Sequence, residues 1–383
     1  MTMSGDIRAT TRVAFFGHNV SDAAVRRRAL AFLRAGVEVS GFMPRRGEPK
    51  RPDWPNVDLG ETRDNDYAWR LVHIFSGSRR AAQHAALLRD ADLIYARNLD
   101  MLAMAHRTRR LLGLDVPLVY ECLDIHHRLV GQGAVAKALR RFERRLLQDC
   151  ALVVVSSPRF ESEHFTRHYS ALGRCHLIEN RLIEGDAFDA RPANGARPQD
   201  GPLRIGWFGN LRCRRSFDLL SATARQFPCE VEIVLRGYPA RSVFPDFEAE
   251  VAGIPNIEFH GRYSAPEDLA RIYDDIDVVW AADWYEAGAN SLWLLPNRIY
   301  EGGYFATPSI AVAGTETARW IDQRDAGFVI GEPVERSLPV LVRSLIADRA
   351  PILARRNSLL SLSRDTFVEG PETTLALLAA AGC

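Results

Sequence analysis

Lysine is nearly absent from this chain. Of 49 basic residues only Lys50 and Lys137 are lysines, so almost every cation is a guanidinium. A GC-rich genome alone would produce that bias. Charge of one sign is absent too: 48 acidic residues balance the basic ones to a net +1, and no global field points to nucleic acid. The six cysteines (122, 150, 175, 213, 229 and 383) form no CxxC pair and no metal-ligand spacing. Cys122 and Cys150 adjoin apolar runs and read as buried thiols, which fits a reducing cytoplasm. The first residues hold no apolar signal-peptide core. No apolar run approaches the roughly 18 residues of a spanning helix. The expected state is soluble, or at most peripheral to a membrane. The GxGxxG dinucleotide fingerprint is missing, and no DxD-type acidic motif stands out, so neither metal nor cofactor is expected.

What remains is enough for sizeable cores: 383 residues, 47% hydrophobic, a length that favours two domains. After a loose tail at 1–11, residues 12–17 read as a strand ending in Gly17. His18 and Asn19 follow, then a helix from about Ser21, then a strand at 37–42, which together make a βαβ opening. Arg26, Arg27 and Arg28 read as its solvated face. Residues 43–66 read as a loop and 67–90 as mostly helix. Strands follow at 92–96, 117–121, 152–158 and 175–180. The segment 133–149 reads as a basic amphipathic helix, with Val135, Leu139, Phe142 and Leu146 inward and Lys137, Arg140, Arg141, Arg144 and Arg145 opposite. Such a helix either packs on a sheet or lies on anionic lipid. Residues 184–203 are rich in Pro, Gly, Ala and Asp and make the best linker. Residues 204–211 then echo 12–19, so the second half restarts the same programme.

Three constellations carry chemistry. In 275–315 a strand at 278–282, a polar loop, a short helix with Pro296 at its first position and a strand at 309–313 place Asn297, Arg298, Tyr300 and Glu301 at a loop-to-helix junction. Strand ends in an open α/β sheet face the ligand crevice, and a helix N-terminus offers N–H groups to phosphate. Arg298 would add a cation, and Glu301 could accept from ribose hydroxyls; equally, the two could form a surface i, i+3 pair. At 209–215, Gly209 and Asn210 lead into Arg212, Arg214 and Arg215, where guanidinium forks could clamp a diphosphate or simply be solvated. At 122–127, Asp124 could take a proton from a hydroxyl and His126 could hydrogen-bond a sugar; alternatively Asp124 caps the following helix. Arg236 and Tyr263, at two further strand exits, are weaker candidates.

The pattern PNRIYEGGYFATPSIA resembles the donor-nucleotide segment of GT-B glycosyltransferases, especially the retaining family 4. Glu301 matches the Glu that usually holds the donor ribose. Eight positions earlier, where that family commonly has another Glu, this chain has Trp293. Asp124-Ile125-His126 resembles the family's Asp and His after the equivalent strand, with Glu121 as a competing register. Arg212 and Arg215 match its two phosphate-binding cations. The resemblance implies two facing Rossmann-like α/β domains: an acceptor-side domain at 1–185, with Gly17, His18 and Asn19 at the acceptor, and a nucleotide-sugar domain at 186–350. Helices at 351–383 would pack back on the first. It implies transfer of a sugar from a nucleotide-diphosphate sugar to a saccharide acceptor in surface-polysaccharide or exopolysaccharide synthesis. The basic helices suggest that the acceptor is lipid-linked and that the protein sits in the cytoplasm on the inner face of the plasma membrane. Two alternatives stay open: a nucleotide-sugar epimerase of the same fold, and a non-catalytic partner subunit.

Overall fold

The computed structural model describes residues 10–45, 47, 51–61, 67–169, 175–185, 190–193, 195 and 201–383, without the side chains of 67–71. The expected tail at 1–11 lies outside these residues save for its last two, as does about half of the expected linker. The chain divides into two compact units: Met1–Glu179 with Ile183–Gly185 and Glu369–Cys383, and Asn180–Leu182 with Asp186–Val368.

The first unit is built on seven parallel strands in the order β3-β2-β1-β4-β5-β6-β7. These are β1 Arg12–Phe16, β2 Glu38–Arg45, β3 Asn56–Glu61, β4 Leu93–Arg97, β5 Leu118–Cys122, β6 Leu152–Val155 and β7 His176–Leu177. Strands β4 and β5 are buried along their whole length, as expected where helices cover both faces of a parallel sheet. Phe15, Phe32 and Tyr95 lock one face edge-to-face, with centroids 5.1–6.2 Å apart. The connections β3→β4, β4→β5 and β5→β6 all step the same way across the sheet. Right-handed crossovers therefore put the helices Tyr67–Ala82, Leu99–Leu112 and Ala134–Leu147 side by side on one face.

The second unit has six parallel strands in the order β11-β10-β9-β12-β13-β14. They are β9 Leu203–Leu211, β10 Val231–Pro239, β11 Ile257–Phe259, β12 Val278–Trp280, β13 Ser309–Val312 and β14 Gly327–Ile330. Apolar clusters cover both faces, one around Trp207 and Trp280 and one around Phe208, Tyr273 and Tyr300. A short pair, β8 Leu182–Ile183 with β15 Val368–Glu369, forms a separate two-stranded sheet. In both six- and seven-stranded sheets the strand order reverses beside the first strand, at β1/β4 and at β9/β12. Those are the switch points where open α/β sheets present their binding crevice.

Several expectations are corrected. The loop read at 43–66 contains β3: Leu59 is buried and the other positions stay half-solvated, as an edge strand allows. The helix expected over 67–90 breaks after Ala82 and restarts as Ala85–Arg89. Arg28 is not solvated but is 4% exposed, held by Glu121 and Glu369. The helix Ala134–Leu147 buries Ala136, Glu143, Leu146 and Leu147, which leaves Val135 and Phe142 in solvent. The polar Glu143 wins the inner face because His164 Nε2 and Tyr169 Oη lie 2.9 and 2.5 Å from its Oε2. Of the C-terminal stretch, only Glu369–Cys383 groups with the first unit. There Leu377, Leu378 and Ala381 of the helix Pro371–Ala381 join the core of Val25, Ala29 and Phe32. The helix Ala350–Ser361 stays with the second unit, because its Ile352 and Leu359 complete that unit's cores.

Candidate active site

In the second unit the carboxyl edge is opened by glycine. Gly209 and Gly237 lie near the ends of β9 and β10, and Gly261 follows β11, with φ of +106°, +129° and +69°. Gly237 is there for closeness: a Cβ on it would stand 1.8 Å from the carbonyl oxygen of Gly209. At Gly209 a Cβ would meet nothing within 4 Å, so only the left-handed backbone demands glycine. Asn210 follows with its Oδ1 buried and unpaired, a costly state that a hydroxyl or N–H donor would relieve.

The helix Arg214–Gln226 starts two residues after β9 ends. Its N-cap is Cys213, whose Sγ accepts from the N–H groups of Ser216 and Trp284 at 3.4 and 3.3 Å. Burial pushes this thiol above its ordinary pKa, so it stays a neutral acceptor. Ser216 Oγ donates to the Ala282 carbonyl, 3.3 Å away. The loops leaving β9 and β12 are thus tied together at the switch point. Arg212 lies 3.9 Å from Asp283, with its guanidinium 4.6 Å from the Tyr285 ring centroid. Arg215 differs from the expectation of a phosphate clamp. Its fork is engaged by Glu332 at 2.9 and 3.2 Å and by Glu335 at 3.0 and 3.3 Å. Arg214 is likewise bidentate to Glu250.

Across the switch point the helix Asn297–Tyr304 begins at the N-cap Pro296, one residue from the expected position. Arg298 reaches under the sheet end and donates to the Trp280 carbonyl at 3.1 Å. Glu301 is 4% exposed and accepts from the Tyr273 hydroxyl at 3.1 Å. The surface i, i+3 pair is therefore not what forms. The two glycines after Glu301 have a packing reason. A Cβ on Gly302 would crowd the Tyr273 ring at 3.0 Å, and one on Gly303 would strike Phe367 at 2.4 Å. Burial, then the Glu301 charge, hold the Tyr273 phenol protonated, its pKa raised far above the ordinary value. Tyr273 was not singled out from sequence; its only signal was an aromatic on the helix before the central strand.

Two other donor-side candidates move. Tyr300 is fully buried, edge-on to Trp320 with centroids 5.4 Å apart, and is a core residue. Arg236 reaches back toward the amino ends of the strands. It pairs at 3.4 Å with Asp275, which also holds Arg204 at 2.8 Å. Asn297 and Tyr263 are half-buried at the edge, Tyr263 with its ring 6.3 Å from Phe208.

In the first unit Gly17 ends β1 where a Cβ would stand 2.8 Å from Val25. His18 Nδ1 lies 3.2 Å from Asn98 Nδ2, which joins the loops leaving β1 and β4 at that unit's switch point. Its Nε2 is 3.6 Å from Asp22, the N-cap of the helix Ala23–Arg34. Burial opposes the charge of Asp22, but His18, the Val25 N–H and Arg97 outweigh it and hold the carboxyl well below its usual range. Asn19 Oδ1 accepts from the Ser21 N–H at 3.1 Å. Past β5, Asp124 is exposed, and the N-cap position of the next helix falls on His126. The Nδ1 of His126 accepts from the Arg128 N–H at 3.2 Å. The imidazoles of His126 and His127 stand 4.2 Å apart. Glu121, the competing register, is buried between Arg28 and Arg97 and belongs to the interior.

No protein-family model matches the chain. The succinoglycan biosynthesis protein ExoL of Rhizobium meliloti (strain 1021) is 40% identical over 357 residues, spanning 90% of this chain and 88% of that protein. Among solved structures, Anabaena HepE in complex with UDP and glucose matches with a TM-score of 0.69 at 14% identity, over 96% of this chain and 98% of that one. The sucrose-phosphate synthase of Thermosynechococcus elongatus matches with a TM-score of 0.72 at 17% identity, over 97% and 96%. The structural likenesses carry the fold and the sequence relative carries the kinship: the chain has the GT-B fold of solved glycosyltransferases and belongs to the family of the succinoglycan biosynthesis protein ExoL.

Proposed function

We propose that this chain moves a sugar from a nucleoside-diphosphate sugar to a saccharide acceptor carried on lipid, at the inner membrane surface, during exopolysaccharide assembly. The donor lies on the second unit's carboxyl edge. Arg212 and the start of the helix Asn297–Tyr304, with Arg298, face the diphosphate, and Glu301 accepts from ribose hydroxyls. Arg215 braces the loop through Glu332 and Glu335. The observation that carries this reading is the unpaired, buried Asn210 Oδ1 beside Gly209 near the end of β9, a hydrogen-bond acceptor left open where a nucleotide sugar would lie. HepE, of the same fold, has been captured with UDP, and ExoL takes its name from succinoglycan biosynthesis; both support it.

In the reaction an acceptor hydroxyl oxygen bonds to the donor's anomeric carbon as the bond to the diphosphate breaks. The nucleoside diphosphate leaves with that electron pair. The hydroxyl proton passes to Asp124 if configuration inverts, or to the departing phosphate if it is retained. His126 and the 17–19 loop, with His18 and Asn19, face the acceptor.

A thermal-shift panel of UDP, GDP, ADP and their sugars tests the donor assignment. A nucleotide at 100 times its Kd adds about 2.7 kcal/mol of stability. The expected result is a shift with one nucleotide class, lost in Arg212→Ala and Glu301→Gln but kept in Arg236→Ala. Absence of any shift in folded protein would overturn it.

A further inference from the structure

A cavity of about 610 Å³ opens in the first unit beside the carboxyl ends of β1 and β2, within the roughly 300–1,000 Å³ of small-molecule sites. Strand register builds one side of it. Gly41 pairs with Asn56, and Met43 with Asp58, across β2 and β3. Trp54, two residues before β3, turns in and joins the core of Val20, Val25 and Met43. Val20 lines the cavity directly after His18 and Asn19. Its N–H donates to the Pro44 carbonyl at 3.1 Å and ties the 17–20 loop to the end of β2.

Two polar atoms of the lining are buried and unpaired: Trp54 Nε1 and Asn56 Oδ1. Trp54 is only 3% exposed, and a buried indole N–H ordinarily finds a partner. Both atoms crowd one point. A Cβ on Gly41 would stand 2.5 Å from Asn56 Oδ1 and 2.6 Å from Trp54 Nε1. Glycine inside a strand weakens it and often marks a close approach. Here it keeps a donor and an acceptor side by side. A hydroxyl answers both at once, accepting from the indole and donating to the amide oxygen. The rim is polar with its charges matched. Arg45 lies 2.9 Å from Asp58, whose second oxygen accepts from the Gly60 N–H at 2.8 Å, and Arg26 lies 3.3 Å from Asp53. Arg51 is exposed at the mouth, so an anion is the competing occupant.

We propose that this cavity is a subsite for a neutral sugar residue of the acceptor, one unit or more from the reacting hydroxyl. Trp54 Nε1 and Asn56 Oδ1 hold one sugar hydroxyl, the Arg45–Asp58 pair meets others, and Val20 and Met43 line the apolar side. Binding at such a distance from the chemistry helps to orient the reacting group. The inference rests on the acceptor placed at the 17–19 loop and adds the residues that read its next sugar.

The test uses the full chain without nucleotide, with maltose, cellobiose and lactose as probes. The chain has seven tryptophans, and the indole N–H signal of Trp54 in a nitrogen-15 spectrum is the one missing from Trp54→Phe. That signal should move saturably with at least one disaccharide and stay in place with sorbitol, an open-chain polyol. Asn56→Ala keeps the signal and should weaken the disaccharide about fivefold, the worth of one hydrogen bond. Saturation transfer to the sugar protons should fall in Trp54→Phe as well. Circular dichroism checks that each variant is folded. A Trp54 signal unmoved by all three disaccharides, moved equally by sorbitol, moved only by inorganic phosphate, or an affinity unchanged in Asn56→Ala would each overturn the subsite. Nucleotide shifts are read separately on the same proteins. An unmoved Trp54 signal with nucleotide shifts intact sinks this inference alone; sugar binding without any nucleotide shift sinks the donor assignment alone.

Discussion

At the scale of single residues, the first unit depends on a charged cluster closed off from water. Arg28 Nη1 is 2.7 Å from Glu369 and its Nε 3.4 Å from Glu121, whose other oxygen is 3.0 Å from Arg97 Nε. Arg97 also donates to the Ala24 carbonyl. Two cations and two anions cancel, which makes burial tolerable; removing one leaves its partner uncompensated. Glu369→Ala is expected to cost about 3–5 kcal/mol, as for other broken buried pairs, measured as the drop in unfolding free energy. A loss below about 1 kcal/mol would show that water reaches the cluster. Asp22 gives a prediction in pH. Its carboxyl titrates lower in the folded state than the roughly 3.9 of an unfolded Asp, so the unfolded chain binds more protons as pH falls. Its contribution is complete above about pH 4 and fades as pH drops toward the folded value. Asp22→Asn keeps a capping side chain but loses the charge, so it should lower stability at pH 7, match the native chain in acid, and so flatten the acid limb of the stability curve. An unchanged acid limb would refute the assignment.

At the scale of elements, two glycines one strand apart should behave differently. Gly237→Ala would drive a methyl into the Gly209 carbonyl and should separate the ends of β9 and β10. A severe loss of folded yield and of nucleotide response is expected. Gly209→Ala meets open space and only the backbone penalty, about 1–2 kcal/mol, so the protein should fold with a lowered Tm. Comparable Tm losses in both would contradict the 1.8 Å approach.

The strands that built both sheets were legible because buried parallel strands are dense apolar runs. The edge strand β3 was not, since Asp58 and Glu61 face water and read as loop. The helix start near Glu301 was legible from Pro296 and the small residues that follow. The roles of Tyr300, Arg236 and Arg215 were not. Which partner an arginine takes depends on carboxylates far along the chain: Asp275 for Arg236, and Glu332 and Glu335 for Arg215. The inward face of Ala134–Leu147 was misread for the same reason, because Glu143 finds His164 and Tyr169 only in the folded unit.

At the scale of the whole molecule, the comparisons and the geometry divide the labour. Kinship to ExoL over 90% of the chain comes with a fold repeated twice, each copy with its own switch point. Each unit therefore offers its own ligand edge. Nucleotide binding should survive Asp124→Asn and His126→Ala in the first unit, while transfer to acceptor falls by at least about a hundredfold for an inverting reaction that needs the base. Donor hydrolysis and acceptor transfer measured side by side check this. Loss of nucleotide binding in those variants would move the donor to the other edge.

The return of Glu369–Cys383 to the first unit also has a meaning in time. A ribosome makes Arg28 and Glu121 early and Glu369 some 250 residues later. Until then the nascent first unit holds Arg28 and Arg97 against Glu121 alone, and Val25, Ala29 and Phe32 wait for Leu377 and Leu378. The second unit can finish folding first, although it is translated second. A stop at position 369 would leave that late unit complete and the early one permanently open.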